Sequence, residues 1–429
     1  MFESYYSREM PCTNTFASYP IRRFCRLFAL GLFAFHAAAA QSAVPTAIDP
    51  ATITNNAVWQ DGRPITLPGL RPLPSAAQSS FLYRPTAEWT YSHHPSITHF
   101  RGRYYAVWSN GRVDEDAPGQ RVLMSSSDDF VTWTTPKPVM APPIGDDGLE
   151  RVLTAGGFHQ FAEGDQSTLV VYAGNYGPKK EGTYLQHITT SDGESFTPPA
   201  AVPLRINPNH PPQPTASGRL IISGNISFPY TDDPRGLSAW VMTGVFPAAM
   251  TASIKDDPWS FRPVARAAGW PAEVCEGSFL QAPDGAIRML LRNAKKADYD
   301  HRLWLSQSLD DGATWSTPAP TNFSDIDAKF HLGRLPDGRY YYVGNPIGSN
   351  RSPLVLSISA DGLNFDQHFI VSSDPYSRQK DGRAKRGQFG YPHTLVHSGS
   401  LHIIVSRQKE AIQVFRIPLA DLAATVSPR

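Results

Sequence analysis

The segment SLDDGATW (Ser308 to Trp315) decides how this chain folds. It follows an alternating apolar run, RLWLSQS, and its closing Trp opens the next stretch. Alternation of period two marks a half-buried strand. An Asp-Gly type turn between two such runs is a hairpin signal. The same unit recurs as SSDDFVTW (Ser126 to Trp133), TSDGESF (Thr190 to Phe196) and SADGLNF (Ser359 to Phe365). Self-similarity of this kind predicts a repeat architecture.

A second unit lies upstream of each. It reads as a polar residue, a short strand, a Gly turn, an apolar strand, then Asn. The instances are HPSITHFRGRYYAVWSN, HQFAEGDQSTLVVYAGN, HPPQPTASGRLIISGN, EGSFLQAPDGAIRMLLRN, KFHLGRLPDGRYYYVGN and YPHTLVHSGSLHIIVSRQ, the last ending in Gln. Their terminal residues (Asn110, Asn175, Asn225, Asn293, Asn345 and Gln408) recur about every 60 residues. Two hairpins per period make a four-stranded propeller blade. The expected fold is therefore an all-β propeller of six such blades. Seven is the alternative, because Thr52 to Tyr91 shows little pattern. The last unit shows only three strands, so a segment near DGRPITL is expected to supply the fourth and close the ring.

The 429 residues carry a formal net charge of +1. That argues against the basic face nucleic acid would need. No run of about 18 apolar residues occurs, so no membrane span is expected. Arg22, Arg23 and Arg26 precede a short apolar stretch, Leu27 to Ala40, that ends in small residues. This reads as an export signal cut after Ala40, and the product as secreted or periplasmic. The domain reading is 1–40 signal, 41–90 extension closing the ring and 91–429 propeller. Removal of the signal leaves one of the three cysteines, Cys275, which is expected to be a small buried hydrophobe.

In a propeller the first strand of each blade lines the channel. The start of that strand and the loop after strand two share one mouth. Counting back 15 to 17 residues from each terminal Asn or Gln reaches His94, His159, His210, Glu276, Lys329 and Tyr391. All six can move a proton. The chain holds 13 His, so three at six equivalent positions is more than chance supplies. His93 borders His94; neighbours on a strand point oppositely, so only one is expected to face the channel. The rim loops GRVDEDAPGQR, YGPKKEGT, SFPYTDDPRG, AKKADYDHR and PIGSNRS are long and charged, and such loops concentrate function. Several Arg around one mouth favour an anionic ligand. The candidate catalytic residues are His94, His93, His159, His210 and Tyr391. The candidate substrate-binding residues are Glu276, Arg292, Lys329, Arg121, Arg351, His393 and Arg407. No metal ligand set and no cofactor are assigned, and a structural ion in the channel is left open.

The Asp-containing repeats resemble the Asp boxes (S-x-D-x-G-x-T-W) of the sialidase-like propeller superfamily; SLDDGATW is similar at every fixed position. Two groups within it are similar. Sialidases carry a Glu before a PDG turn, an Arg some sixteen residues later and a nucleophilic Tyr opening a late first strand; Glu276, Arg292 and Tyr391 match these. The first-blade Arg of the sialidase FRIP segment is absent. His94 stands in its place, and FRIP at Phe415 to Pro418 falls in the final blade. The stretch SHHPSITHFRGRYYAVWSNGRVDEDAPGQRVLMSSSDDF resembles the propeller enzymes that remove terminal L-rhamnose from α-1,4-linked glucuronate, by elimination or by hydrolysis. That resemblance implies His94, or His93, as the key residue, and seven blades.

Ordinary glycoside hydrolysis needs two carboxylates, and the ring offers one, Glu276. Elimination needs a cation on the uronate carboxylate, a base for the C5 proton and an acid for the departing O4. The expected function is exo-acting release of a terminal sugar, L-rhamnose, from a glucuronate-containing glycan by β-elimination. Arg292 or another rim Arg would hold the carboxylate with Lys329. His94 or His159 would be base, and Tyr391 or His210 acid. An exo-sialidase or other retaining glycosidase using Glu276 and Tyr391, and a non-catalytic lectin, are the alternatives. The expected partner is a uronic-acid-containing glycan and the expected state a monomer.

Overall fold

The computed structural model describes residues 69–246, 250, 254, 259–294 and 301–423. The export segment, DGRPITL and most of the rim loop AKKADYDHR lie outside the described residues. None of the described helices is long and apolar enough to cross a membrane.

Two short strands, β1 (Arg71–Pro72) and β2 (Gln78–Tyr83), precede the first blade. Blade one is β3 (Tyr91–Phe100), β4 (Arg103–Gly111), β5 (Arg121–Ser127) and β6 (Lys137–Met140). Blade two is β7 (Val152–Glu163), β8 (Gln166–Tyr176), β9 (Tyr184–Thr190) and β10 (Ala200–Val202). Blade three has β11 (Gln213–Pro214), β12 (Leu220–Ile221) and β13 (Tyr230–Thr231), followed by helix α1 (Phe261–Ala267). Blade four is β14 (Val274–Gln281), β15 (Ile287–Asn293), β16 (Arg302–Ser308) and β17 (Ala319–Ser324). Blade five is β18 (His331–Arg334), β19 (Tyr340–Gly344), β20 (Leu354–Ser359) and β21 (Phe365–Ser372), with β1 added in parallel. Blade six is β22 (Gly390–His397), β23 (Ser400–Arg407) and β24 (Ala411–Pro418), before a short helix α2 (Leu419–Ala423).

The described residues thus form six sheets rather than seven. Blade six takes its fourth strand from the N-terminal side, where β2 pairs antiparallel with β24. The closing strand is QSSFLY, downstream of DGRPITL. Among the described residues blade three has three short strands, with Val241 and Gly244 bridging Tyr230 and Ser227 at its outer edge in place of a regular fourth strand. Pro208, Pro211, Pro212 and Pro214 crowd its inner edge, and each removes a ladder donor.

The core lies between blades, not inside them. Each of six apolar clusters joins two neighbouring sheets. The ring-closing cluster sets Leu82, Ile404, Ile412 and Val414 against Ile97, Ala106, Trp108 and Leu123. The channel-side edges of the inner strands are bonded by the neighbouring blade: Leu332 N–H to Ser278 Oγ (2.9 Å), Ile97 N–H to His393 Nδ1 (3.3 Å). A buried edge left unpaired would cost about 1–3 kcal/mol per group.

The Asp motif is a turn clamp. The Ser308 hydroxyl donates to Asp310 (2.8 Å) and accepts the Gly312 N–H (2.8 Å); Asp310 Oδ1 accepts the Thr314 N–H (2.8 Å). Thr190, Asp192 and Gly193 repeat this in blade two. Gly312 has φ +84, and a Cβ there would lie 2.6 Å from Ile221 of the preceding blade. The motif thus presses each turn on the blade before it. In the first copy Phe130 (φ 66) takes the Gly place and packs on His402 of blade six, ring centroids 4.4 Å apart.

If β2 closes the ring, Leu82→Ala should cost about 2–5 kcal/mol in urea unfolding, against about 0.5 kcal/mol or less for the exposed Val131→Ala. Equal costs would mean the last and first blades do not depend on β2.

Candidate functional site

At one mouth of the channel three of the inner strands carry an extra residue. The β3–β4 ladder slips between His93 and Ser96, the β14–β15 ladder between Cys275 and Gly277, and the β22–β23 ladder between Gly390 and His393. The residues released are His94 (φ 53), Glu276 (φ 25) and Tyr391 (φ 53). A bulge re-aims a side chain, and here three bulges aim three proton-carrying groups at one cleft. That cleft holds about 490 Å³ and is lined by His94, Glu115, Asp116, Lys180, Glu276, Arg292, Arg351, Arg386, Tyr391 and Lys409 among others. Among the described residues, sixteen non-glycine positions have positive φ, and seven of them line this cleft: His94, Asp116, Lys180, Glu276, Arg351, Tyr391 and Lys409. Strain concentrated in one place points to a working site.

Its centre is a three-membered cluster. The Tyr391 hydroxyl donates to Glu276, and Arg292 Nη1 donates to Glu276 and to the Tyr391 oxygen (3.0 Å). The other edge of Arg292 bonds Asp327, Nε to Oδ1 at 2.7 Å. Two cations flank the phenol face: Lys329 Nζ 4.9 Å and the Arg351 guanidinium 5.3 Å from the ring centroid. Burial alone would raise the Glu276 carboxyl. Arg292, the Tyr391 hydroxyl and Lys329 overcome it and hold the group down at about 2. Burial, and then Glu276, push the Tyr391 phenol well above its ordinary value. Burial brings Lys329 down to about 8 against the pull of Glu276.

A second cluster leans on the first. His93 is fully buried, its Nδ1 2.6 Å from Ser406 Oγ and its ring 4.1 Å from that of Tyr391. His94 lies 5.4 Å from the same ring, with Nδ1 3.2 Å from Ser109 Oγ. Both rings therefore face the site, against the expectation of one; the bulge breaks strand alternation at this step. Burial, then Lys329 and Lys409, lower His94 to about 3, so it is neutral at pH 7. His93, His94 and Glu115 bring their ligand atoms within 4.8 Å of one another, the spacing of a metal set. Lys409 Nζ already bonds Glu115, so that carboxylate has a cation of the protein as its partner. Glu115 also accepts from Tyr91 (3.2 Å), and Asp116 pairs with Lys180 (3.0 Å).

Five of the residues expected from sequence lie elsewhere. His159 sits far down blade two, bonded to the Pro234 carbonyl (2.7 Å). The β7–β8 hairpin is four residues longer than β3–β4: Asn175 faces Leu153, whereas Asn110 faces Ser92. The bulge of that blade falls at Ala155 to Gly157, not at His159. His210 is buried deeper in the channel, donating through Nε2 to the Phe330 carbonyl (2.9 Å). His393 stacks on His331 (4.5 Å) and lines a cavity of about 960 Å³ that reaches the Pro283–Gly285 turn at the opposite end. That cavity has no carboxylate in its lining. Arg121 bonds Asn110 (2.9 Å) and covers the Trp89 ring (3.4 Å). Arg407 is fully buried, tying the Gln388 and Asp374 carbonyls (both 2.6 Å). Arg121 and Arg407 are frame residues.

The positions counted from sequence did not single out Asp327, Lys409, Arg386, Glu115 or Asp116. The acidic run of the first rim loop was the only signal for the last two. Nothing local marks Asp327. Cys275 is buried as expected, and burial pushes its thiol up.

The model of the BNR repeat-like domain matches residues 102–403. The chain belongs to the BNR repeat-like domain family. Solved structures of sialidases share its fold. One sialidase is 21% identical, with a TM-score of 0.54 over 82% of this chain and 33% of its own length. NanB sialidase of Streptococcus pneumoniae (K499G mutant) is 12% identical, with a TM-score of 0.56 over 83% of this chain and 73% of its own. Trypanosoma rangeli sialidase, solved as a covalent intermediate with 2,3-difluorosialic acid, is 11% identical, with a TM-score of 0.56 over 82% and 60%. This chain spans about a third of the length of the first of these sialidases. No curated protein sequence matches the chain. At such identities the likeness carries the sialidase-like propeller and not the reaction.

In this BNR propeller the Glu276 carboxylate is worth most where it is charged. Held at about 2 against an ordinary 4.5, it contributes about 3 kcal/mol that is fully present above pH 4.5 and lost as pH falls toward 2. Glu276→Gln should therefore unfold more easily than wild type at pH 7. The gap in urea midpoint should narrow as pH drops below 4.5. A gap constant from pH 7 to 3 would mean that Glu276 is not ionised by Arg292.

Proposed function

We propose that this propeller is an exo-acting carbohydrate-active enzyme that cuts a terminal sugar from an acidic glycan, with Tyr391 as nucleophile and Glu276 as its base. The observation that carries this reading is the hydroxyl of Tyr391 bonded to Glu276 while Arg292 grips both. A phenol pushed up by burial is inert by itself. It becomes reactive only if its proton leaves as the bond forms, and Glu276 is the acceptor already in contact. Arg292, Lys329 and Arg351 face the negative charge that grows on the phenol oxygen.

The chemistry then balances in two steps. The Tyr391 oxygen bonds the anomeric carbon, its proton passes to Glu276, and the glycosidic C–O bond breaks. The leaving oxygen takes a proton from solvent at the mouth of the cleft. Water next attacks the same carbon from the other side and loses its proton to solvent, and Tyr391 leaves with the proton returned by Glu276. Two displacements retain the anomeric configuration, as in other glycosidases with a Tyr nucleophile. The cleft's surplus of cations, Lys180, Arg262, Arg292, Arg351, Arg386 and Lys409 against Glu115, Asp116 and Glu276, favours an anionic sugar.

Elimination at a uronate is the second reading. It is favoured by the neutral His94 beside Tyr391 and by Lys329 near its own titration point. Release of L-rhamnose from glucuronate belongs to this reading. The two part on their product. A rhamnosyl-glucuronate oligosaccharide that yields free rhamnose with a new ultraviolet absorbance supports elimination. Sugar release without absorbance and with retained configuration supports displacement.

Tyr391→Phe and Glu276→Gln should each lower kcat by a factor of about 10²–10⁴ on any cleaved glycan, with protein still folded by circular dichroism. Full activity in Tyr391→Phe would remove both readings. Charge on Lys329 is present below about pH 8 and lost above it. The alkaline limb of kcat/KM should therefore fall near pH 8, and Lys329→Arg should move that limb upward. A limb unmoved in Lys329→Arg would assign it to another group.

A further inference from the structure

Arg292 is the guanidinium nearest the reacting pair, yet it has almost nothing left to offer a ligand. Of its five N–H groups, those on Nη1 serve Glu276 and Tyr391, while Nε and one on Nη2 serve Asp327. A bidentate grip on a ligand carboxylate needs two parallel donors on one edge. The outer edge of Arg292 is the edge that Asp327 occupies.

Asp327 is not a passing visitor there. Its backbone is in the left-handed region (φ 59). Its N–H donates to Asp325 Oδ2 (3.1 Å), and its carbonyl accepts from Arg351 Nη2 (3.1 Å). Its second carboxylate oxygen faces Arg386 Nη2 at 3.6 Å. Three contacts and a strained backbone hold one carboxylate against Arg292. His94, a neutral ring, stands on the inner strand of blade one beside Tyr391. Arg351 differs from Arg292: it is buried, lines the cleft, and its Nη1 has no hydrogen-bond partner among the described residues.

We infer that Asp327 is a specificity-determining residue, a built-in carboxylate that fills the docking edge of Arg292 and so excludes sugars whose carboxylate is attached to the attacked anomeric carbon. The site takes aldose-type terminal sugars, whose acidic group lies elsewhere on the ring or in the next residue, where Arg351 Nη1 meets it. Ulosonic acids, which carry carboxylate on the anomeric carbon, bring a second negative charge against Asp327. The inference rests on the proposed role of Tyr391 for which carbon is attacked, but its test reads binding rather than turnover, so the two fail separately.

The probe is free N-acetylneuraminic acid, an ulosonic acid, titrated calorimetrically into the whole protein. Wild type should show no measurable binding at millimolar sugar. Asp327→Ala, which bares the edge of Arg292, should bind at least about tenfold more tightly than wild type. Asp327→Asn keeps the shape and removes the charge, and should also gain affinity. It serves as the folded variant if Asp327→Ala does not fold. Binding by wild type as tight as by either variant would overturn the inference, as would folded variants of unchanged affinity. Activity of wild type on a sialoside would overturn it too, while leaving Tyr391 as nucleophile intact.

Discussion

Arg292 holds a phenol and two carboxylates at once, and the mouth of the channel is arranged around that fact. Glu276 and Tyr391 come from blades four and six, and Asp327 from the crossing between blades four and five. Each would be costly to bury alone. A shared guanidinium makes the group tolerable, because every charge removed from water gains an opposite charge and a hydrogen bond. Arg292 is itself placed by the β14–β15 ladder, where it faces Cys275 one step before the bulge that releases Glu276.

The propeller supports such a centre because its two ends do different work. At one end the inner hairpins turn tersely and the blades are locked by apolar packing between sheets. At the other, bulges and rim loops leave the regular ladder. The positive-φ residues gather at that second end. Strain there is offset by the inter-blade cores and by closure of the ring through β2. Closure also keeps the inner strands from relaxing apart, which would separate Tyr391 from Glu276.

Much of this was legible in the chain. The Ser–Asp–Gly pattern named the turn clamps, since only that spacing lets one Ser oxygen and one Asp oxygen take the turn's N–H groups. Tyr391, Glu276 and Arg292 could be found by counting, because the hairpins of blades four and six match the repeat. His159 could not be placed this way. A hairpin longer by four residues shifts the mouth position to Ala155–Gly157, and hairpin length is set by where the turn forms rather than by the terminal Asn. His93 was misjudged for a related reason. Alternation predicts opposite faces, and a bulge cancels alternation at the one step that mattered.

The sequence by itself determined the architecture and the surplus of proton-carrying and cationic groups at one mouth, because periodic patterns and turn chemistry are local and survive being read one residue at a time. Only the tertiary structure decided what each group is bound to. Arg292 reads from sequence as a ligand for a substrate's carboxylate. In the fold its edges are taken by Glu276, Tyr391 and Asp327, partners 16, 99 and 35 positions away. No local pattern encodes such pairings. They follow from the ring closing, which brings separate blades to a common axis and leaves each charge there to find its partner in a place without water.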